Sequence, residues 1–287
     1  MKSAIPVLLT VVLMTAGQVL ADAITVDAAK DNWLGNAGCS GNSNRGNGGK
    51  YFYSVSMDTV STDTMVIAWD LRGVALGPGQ YVESAGIQFY SAGGGNNFVF
   101  DVAAYALKKA WQEGTAGAPG YGGTGYPWGP ANVGDCTQNY QIVSATDPDS
   151  GGWVALAADG TPWGGLGATG TDDCDQTRPM TTGQWTAVGV GDMVPLGNAI
   201  SLSADGCGIV EDWITGALDN NGMVIILTGR RDLGSVGHIA TREYTVADPS
   251  GAPGPYAAEL TFNIVPEPTC FGLLGLGLVG LLRRRRG

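Results

Sequence analysis

Asp172-Asp173-Cys174-Asp175 places three carboxylates and a thiol within four consecutive residues. Calcium takes about six to eight hard oxygen ligands, often from loops. Asp172, Asp173 and Asp175 are therefore candidate ligands for a structural calcium ion, the one cofactor the sequence raises. Asp147-Pro148-Asp149 is a second acidic cluster. Neither has EF-hand spacing, and a solvated acidic turn is the competing reading of both. Aromatic side chains form a second set. Tyr121, Tyr126, Trp128, Trp153 and Trp163 fall in segments rich in Gly and Pro. A sugar ring presents a face of C–H groups that stacks on an aromatic face. Tyr126, Trp128, Trp153 and Trp163 are thus candidate platforms for a polysaccharide, against the alternative that they pack loops onto the body of the fold. Trp69, Trp111 and Trp213 stand in regular elements and are expected in the core.

Hydrolytic chemistry is poorly served. Glycosidases need two carboxyls at a defined separation. The interior glutamates Glu83, Glu113, Glu211, Glu243 and Glu259 give no spacing that fixes one. His238 is the single histidine of 287 residues, which excludes a multi-histidine zinc site and makes any Ser-His-Asp triad depend on that ring. A structural or solvated loop residue is its simpler reading. Gly93–Gly95 lacks the lysine and helix context of a phosphate-binding loop. The net charge of −11 argues against a nucleic-acid binder, which needs a basic face.

These residues must be positioned by short strands and turns. The chain has 47 Gly and 14 Pro, about 21% together, a composition suited to strands joined by turns. Tyr51–Met57, Met65–Leu71 and Tyr81–Tyr90 read as strands, with Met65, Ile67 and Trp69 on one face. Gly93–Asn97 reads as a hairpin loop, followed by a strand with Phe98, Phe100, Val102 and Ala104 inward. Gly114–Asn198 reads as long loops with strands at Tyr140–Ala145 and Trp185–Val190; a partly separate lobe is the alternative. Ala199–Ser203 is a short strand. Asp205 is the expected cap of one helix, Cys207–Leu218, stopped by Asn220-Asn221-Gly222. Met223–Thr228 is a continuous apolar run and so a central strand, and Ala258–Ile264 alternates as the closing strand. The fold class expected is all-β: an antiparallel β-sandwich or jelly roll with long Gly-rich loops and one short helix.

Both ends carry address signals. Lys2 precedes the apolar run Ile5–Leu20, and Ala21 and Ala23 each close a small-residue cleavage site. Residues 1–23 therefore read as a secretory signal peptide, with an uncleaved anchor as the alternative. At the other end Pro266-Glu267-Pro268 precedes the apolar run Phe271–Leu282 and four arginines, Arg283–Arg286. Twelve residues span ~18 Å as a helix, short of the ~30 Å hydrocarbon core. The arginines would hold that end on the cytoplasmic side. Without these segments, residues 24–265 keep ten basic and 24 acidic residues, a net of −14. Cys39, Cys136, Cys174 and Cys207 remain between the signals, and an oxidising compartment leads to two disulfides among three possible connectivities. Cys136–Cys174 with Cys39–Cys207 is the favoured set. No C-x-x-C pair exists, so a thioredoxin-like role is not expected.

The tail, residues 265–287, resembles the PEP-CTERM sorting signal of Gram-negative bacteria: Pro266-Glu267-Pro268, a short apolar helix and a basic cluster stand in order at the C-terminus. The resemblance implies recognition by a membrane-embedded exosortase, transient membrane contact, removal of the tail, and delivery through the inner membrane to the cell surface or extracellular matrix. An ordinary tail anchor on a structural protein is the alternative.

Residues 24–264 resemble the DNRLRE-type domain, a secreted β-sandwich related to carbohydrate-binding modules. The residues that carry this are Trp69-Asp70-Leu71, Val82–Tyr90, Trp111-Gln112-Glu113-Gly114, Trp163-Gly164-Gly165 with Asp172-Asp173, Val210–Trp213 with Asn221-Gly222, and Arg242-Glu243 before Ala258-Glu259-Leu260. Ile67-Ala68 stands where the family often has an arginine, and the name-giving hexapeptide is absent. The resemblance implies a non-catalytic sandwich of a kind often attached to carbohydrate-active or surface proteins; contact with polysaccharide would come through the aromatic residues named above. A carbohydrate-active hydrolase or lyase is the competing function.

Overall fold

The computed structural model describes residues 23–34, 50–52, 64–113, 132–147, 156–195, 197–230, 238–240 and 257–267. Twelve strands and one α-helix make up the described part. They are β1 (Ala23–Leu34), β2 (Lys50–Phe52), β3 (Thr64–Trp69), β4 (Gln80–Gln88), β5 (Tyr90–Leu107), β6 (Tyr140–Asp147), β7 (Leu156–Pro162), β8 (Cys174–Pro195), β9 (Ile200–Ser201), β10 (Met223–Arg230), β11 (His238–Ala240) and β12 (Glu259–Pro266), with α1 at Ala204–Thr215.

One sheet runs β2-β11-β5-β10-β3-β1-β12-β4-β9, with β8 added against β5, and every pairing is antiparallel. The strand that joins its two halves is β1. Ala23–Asp27 pairs with β12, and after an irregularity between Ala28 and Lys30 the rest of β1 pairs with β3. A strand that changes partner in this way bends the sheet onto itself. The result is the expected sandwich, closed almost into a barrel. β6 and β7 form a separate hairpin.

The main core fills the space between the two halves. Met65, Ile67 and Trp69 of β3 meet Val82 and Ile87 of β4, Leu260 and Phe262 of β12, and Ile209, Val210 and Trp213 of α1. Fully burying a side chain such as Ile67 or Phe262 stabilises the fold by about 1.5–3 kcal/mol each. All six residues of β3 are buried, because its other face is covered too. Val66 and Ala68 pack into a second cluster with Leu34, Leu107, Trp111, Cys136, Trp163, Cys174 and Val224. The cover is formed by residues 108–113, 132–147 and 156–173.

Several sequence expectations change. Gly93–Asn97 is not a hairpin loop: it lies inside β5, where Gly95, Asn96 and Asn97 pair with β8 after a register shift between Ala92 and Gly95. The expected strand Trp185–Val190 is part of the 22-residue β8. The helix begins earlier than its apolar pattern indicated. Its cap is Ser203, not Asp205; Ser203 Oγ accepts the N–H of Gly206 at 3.0 Å. The helix stops at Gly216, which takes the left-handed conformation at φ 74°, before the Asn-Asn-Gly sequence is reached. His238 lies in β11 instead of a loop. Of the expected strand Tyr51–Met57, residues 53–57 lie outside the described residues, as do residues 114–131 and 148–155.

Candidate functional site

Leaving β5 at Leu107, the chain runs across the outer face of β1 and β3. Trp111 is buried, and its Nε1 donates to the carbonyl of Asn221 at 2.9 Å. Lys30 Nζ lies 4.3 Å from the Trp111 ring centroid and donates to the Trp111 carbonyl at 2.7 Å. Burial lowers the Lys30 pKa, opposed by the nearby Cys136 and Glu113. Glu113, also buried, accepts the backbone N–H of Asp31 at 2.7 Å. Asn32 Nδ2 donates to the Cys136 carbonyl and to its Sγ. β1 and the cover are thus joined by polar groups as well as by packing.

Asp173 organises the next turn. Its side chain is fully buried. Oδ1 takes the N–H of Gly164 at 2.8 Å and Lys109 Nζ at 2.7 Å, and Oδ2 takes the N–H groups of Gly165 and Gly170 at 2.8 and 3.0 Å. Burial opposes its ionisation, but Lys109 and the three backbone donors prevail, and its pKa is lowered. A Cβ on Gly170 would come within 2.8 Å of the same carboxylate, so the turn needs glycine there.

This corrects the calcium expectation. The oxygens of Asp173 already face four N–H donors. Asp175 Oδ1 accepts from the backbone and hydroxyl of Thr177, and Asp172 is exposed. Among the described residues no group of three or more His, Cys, Asp or Glu could hold a metal ion. Asp149 lies outside them.

Trp163 is corrected as well. It is 6% exposed, packs in the second cluster, and donates through Nε1 to the Thr137 carbonyl at 2.9 Å. No open ring face remains for a sugar. Tyr126, Trp128 and Trp153 lie outside the described residues. Trp69, Trp111 and Trp213 are buried as expected. The disulfide expectation changes too: Cys136, Cys174 and Cys207 are buried free thiols, so Cys136 and Cys174 are not joined, and Cys39 lies outside the described residues. Burial pushes the Cys136 thiol up to about 12, partly offset by Asn32.

A cleft of about 570 Å³ opens where β3 ends against α1, lined by Lys30, Trp69, Asp70, Arg72, Trp213 and Asn220 among others. Arg72 forms a bidentate pair with Asp70 at its exposed rim and holds that carboxyl down at about 2. Asn220 Nδ2 closes one side on the Trp69 carbonyl at 2.7 Å. Sequence reasoning missed this cleft, because its residues come from four separate parts of the chain.

The best-defined functional geometry is at the end of β12. Val265 pairs with Tyr81 and Pro266 with Gln80. Glu267 N–H donates to the Gly79 carbonyl at 2.6 Å. The first residues after the sandwich core are therefore still strand, held by β4. The opposite neighbour, β1, begins its pairing at Ala23 against Asn263. The start of the domain and its end leave at the same pole.

Residues 265–286 match the PEP-CTERM protein-sorting motif. The PEP-CTERM motif marks an exported protein that an exosortase sorts to the cell surface in Gram-negative bacteria. Pro266 and Glu267 are the motif residues that the structure places; Pro268 and Ala21 lie outside the described residues, while Ala23 is the first residue of β1. Within the sandwich the match covers only Val265 and Pro266, the last two residues of β12. No curated protein matches the chain. Among the described residues no helix is long and apolar enough to cross a membrane.

Proposed function

We propose that this chain is a non-catalytic module of the bacterial surface or extracellular matrix, which loses its tail during sorting and contacts polysaccharide through the cover on its outer face. The observation that carries the binding part is the placement of exposed apolar side chains. Val133, Ile142 and Leu166 are 68%, 41% and 46% exposed, and all three stand on the cover. The segments that hold Tyr126, Trp128 and Trp153 leave and re-enter that same cover, at Glu113 and Asn132 and at the paired residues Asp147 and Leu156. Exposed apolar side chains on the cover suit the C–H faces of sugars. The resemblance of residues 24–264 to the DNRLRE-type domain agrees with this reading.

The non-catalytic part is supported by what the glutamates do. Glu113 accepts from the Asp31 backbone, Glu211 from the Val82 backbone at 3.1 Å, and Glu259 from the Tyr90 hydroxyl at 2.7 Å. Each holds two elements together. The test is retention of the exported domain on immobilised neutral and acidic polysaccharides. Binding that falls when Trp128→Ala and Trp153→Ala are combined, with unchanged thermal stability, supports the reading. Absence of retention on every polysaccharide would leave a structural role alone.

A further inference from the structure

Building on the exosortase reading, we propose that the sandwich itself presents the sorting motif: the exosortase takes Pro266 and Glu267 as the end of a strand held in register by Gly77–Tyr81, and not as a free tail.

The register supplies the argument. In an antiparallel ladder successive residues turn their N–H and C=O groups to opposite sides. Glu267 N–H bonds to Gly79, so Glu267 and Val265 face β4, while Ile264 and Pro266 face away. The partner strand agrees with this alternation. Gln80 N–H bonds back to Gly77, and Val82 N–H bonds to Glu211, both away from β12. Proline has no N–H to give. At 266 that loss falls on the side that makes no bond to β4. At 267 it would remove the bond to Gly79. The order Pro then Glu therefore fits a strand that ends against β4.

The far side of this strand end is the surface offered to the enzyme. β1 pairs with β12 only from Ala23 opposite Asn263, and among the described residues nothing pairs with that side beyond Asn263. It presents the Pro266 carbonyl with no N–H beside it, an edge that a stray strand extends poorly. A partner bearing hydrogen-bond donors, backbone or cationic, fits it. The turn that holds the strand is itself fixed. Gly77 N–H donates to Gln80 Oε1 at 2.7 Å, and Gly79 sits at φ 67°, where a glycine is favoured. From Glu267 to the first apolar residue, Phe271, the chain reaches at most about 14 Å. The strand end is thus kept close to the bilayer in which the enzyme resides. A segment already extended and held costs less ordering on binding than a free one.

The test is tail loss by the exported full chain in a host with its exosortase, followed by pulse-chase and intact mass. Eight Gly/Ser residues inserted between Ile264 and Val265 keep the motif but remove it from the ladder. The same insertion between Cys270 and Phe271 lengthens the tether and leaves the ladder alone. We expect the first to slow processing by about five-fold or more and the second to leave it near the wild-type rate. A Val82→Cys/Ile264→Cys pair, which locks the neighbouring ladder position, is expected to be processed like wild type. Equal processing of the two insertions, or arrest by the lock that reductant relieves, overturns the proposal. Retention of the tail by wild type with the enzyme present would instead remove the exosortase reading beneath it. Protease resistance of each exported domain checks folding.

Discussion

Lys109 Nζ lies 2.7 Å from Oδ1 of Asp173, whose side chain has no exposed surface. The same carboxylate holds three glycine N–H groups, so one side chain fixes both the turn 164–170 and the start of the cover. Asp173→Asn keeps the shape but puts an NH2 where one oxygen met N–H donors. We expect a loss of about 2–4 kcal/mol, since buried donors lose their acceptor. Urea unfolding of the exported domain measures it, and a change below 0.5 kcal/mol would contradict this role.

The lowered pKa of Asp173 gives a pH dependence of known sign. A carboxyl depressed in the folded state contributes stability that is present above its unfolded value and is lost as pH falls through the folded one. Wild type should therefore lose stability from about pH 4 downward, and Asp173→Asn should lose less over that window. Thermal melts at steps between pH 5 and 2 test this; parallel curves for the two proteins would refute it.

Trp163→Ala should cost about 3–5 kcal/mol, the price of emptying a large buried site. Its effect on polysaccharide retention should be no greater than the loss of folded protein. Trp128→Ala should show the reverse pattern. A Trp163 variant that folds normally but loses retention would return that ring to the binding surface.

Thiol labelling checks the cysteines. Burial raises the pKa of Cys136, Cys174 and Cys207, so each should resist alkylation at pH 8 in the native domain. In denaturant without reductant all three should label. A mass that shows two of them unlabelled until reduced would reinstate a disulfide.

Ser203→Ala removes the cap that Gly206 N–H uses and should cost about 1 kcal/mol. Asp205→Ala should cost less, because Asp205 supplies only charge in the first turn. Melting temperatures of the two variants compare them directly.

Where burial alternates or is continuous, the fold was legible. Met65, Ile67 and Trp69, the run Met223–Ile226, and Leu260 with Phe262 declare their strands and their inward faces. The alternation of Ile24, Val26 and Ala28 carried the same signal for β1 but stood too close to the signal peptide to be read as a strand. Gly93–Asn97 misled because composition reports local preference, whereas pairing with a long β8 is decided by distant residues. The acidic cluster misled for a related reason. Carboxylates look alike in sequence whether they await a cation or already hold backbone N–H groups, and only the fold distinguishes Asp173 from a ligand. The sorting tail was legible because its three parts are contiguous. The cleft was not, because Lys30, Trp69, Arg72 and Asn220 meet only after folding.

The position of β12 also sets how the molecule bears force. In the proposed sorting, were the tail held in the membrane, drag on the exported domain would run along β12, from Pro266 back toward Glu259. That strand lies between β1 and β4, and its ladder bonds to both run across the line of pull. The load is then shared by two rows of bonds at once and does not open them one after another. A domain suspended from this strand is loaded in shear, and it can hang from the membrane by its last strand without unravelling from that end.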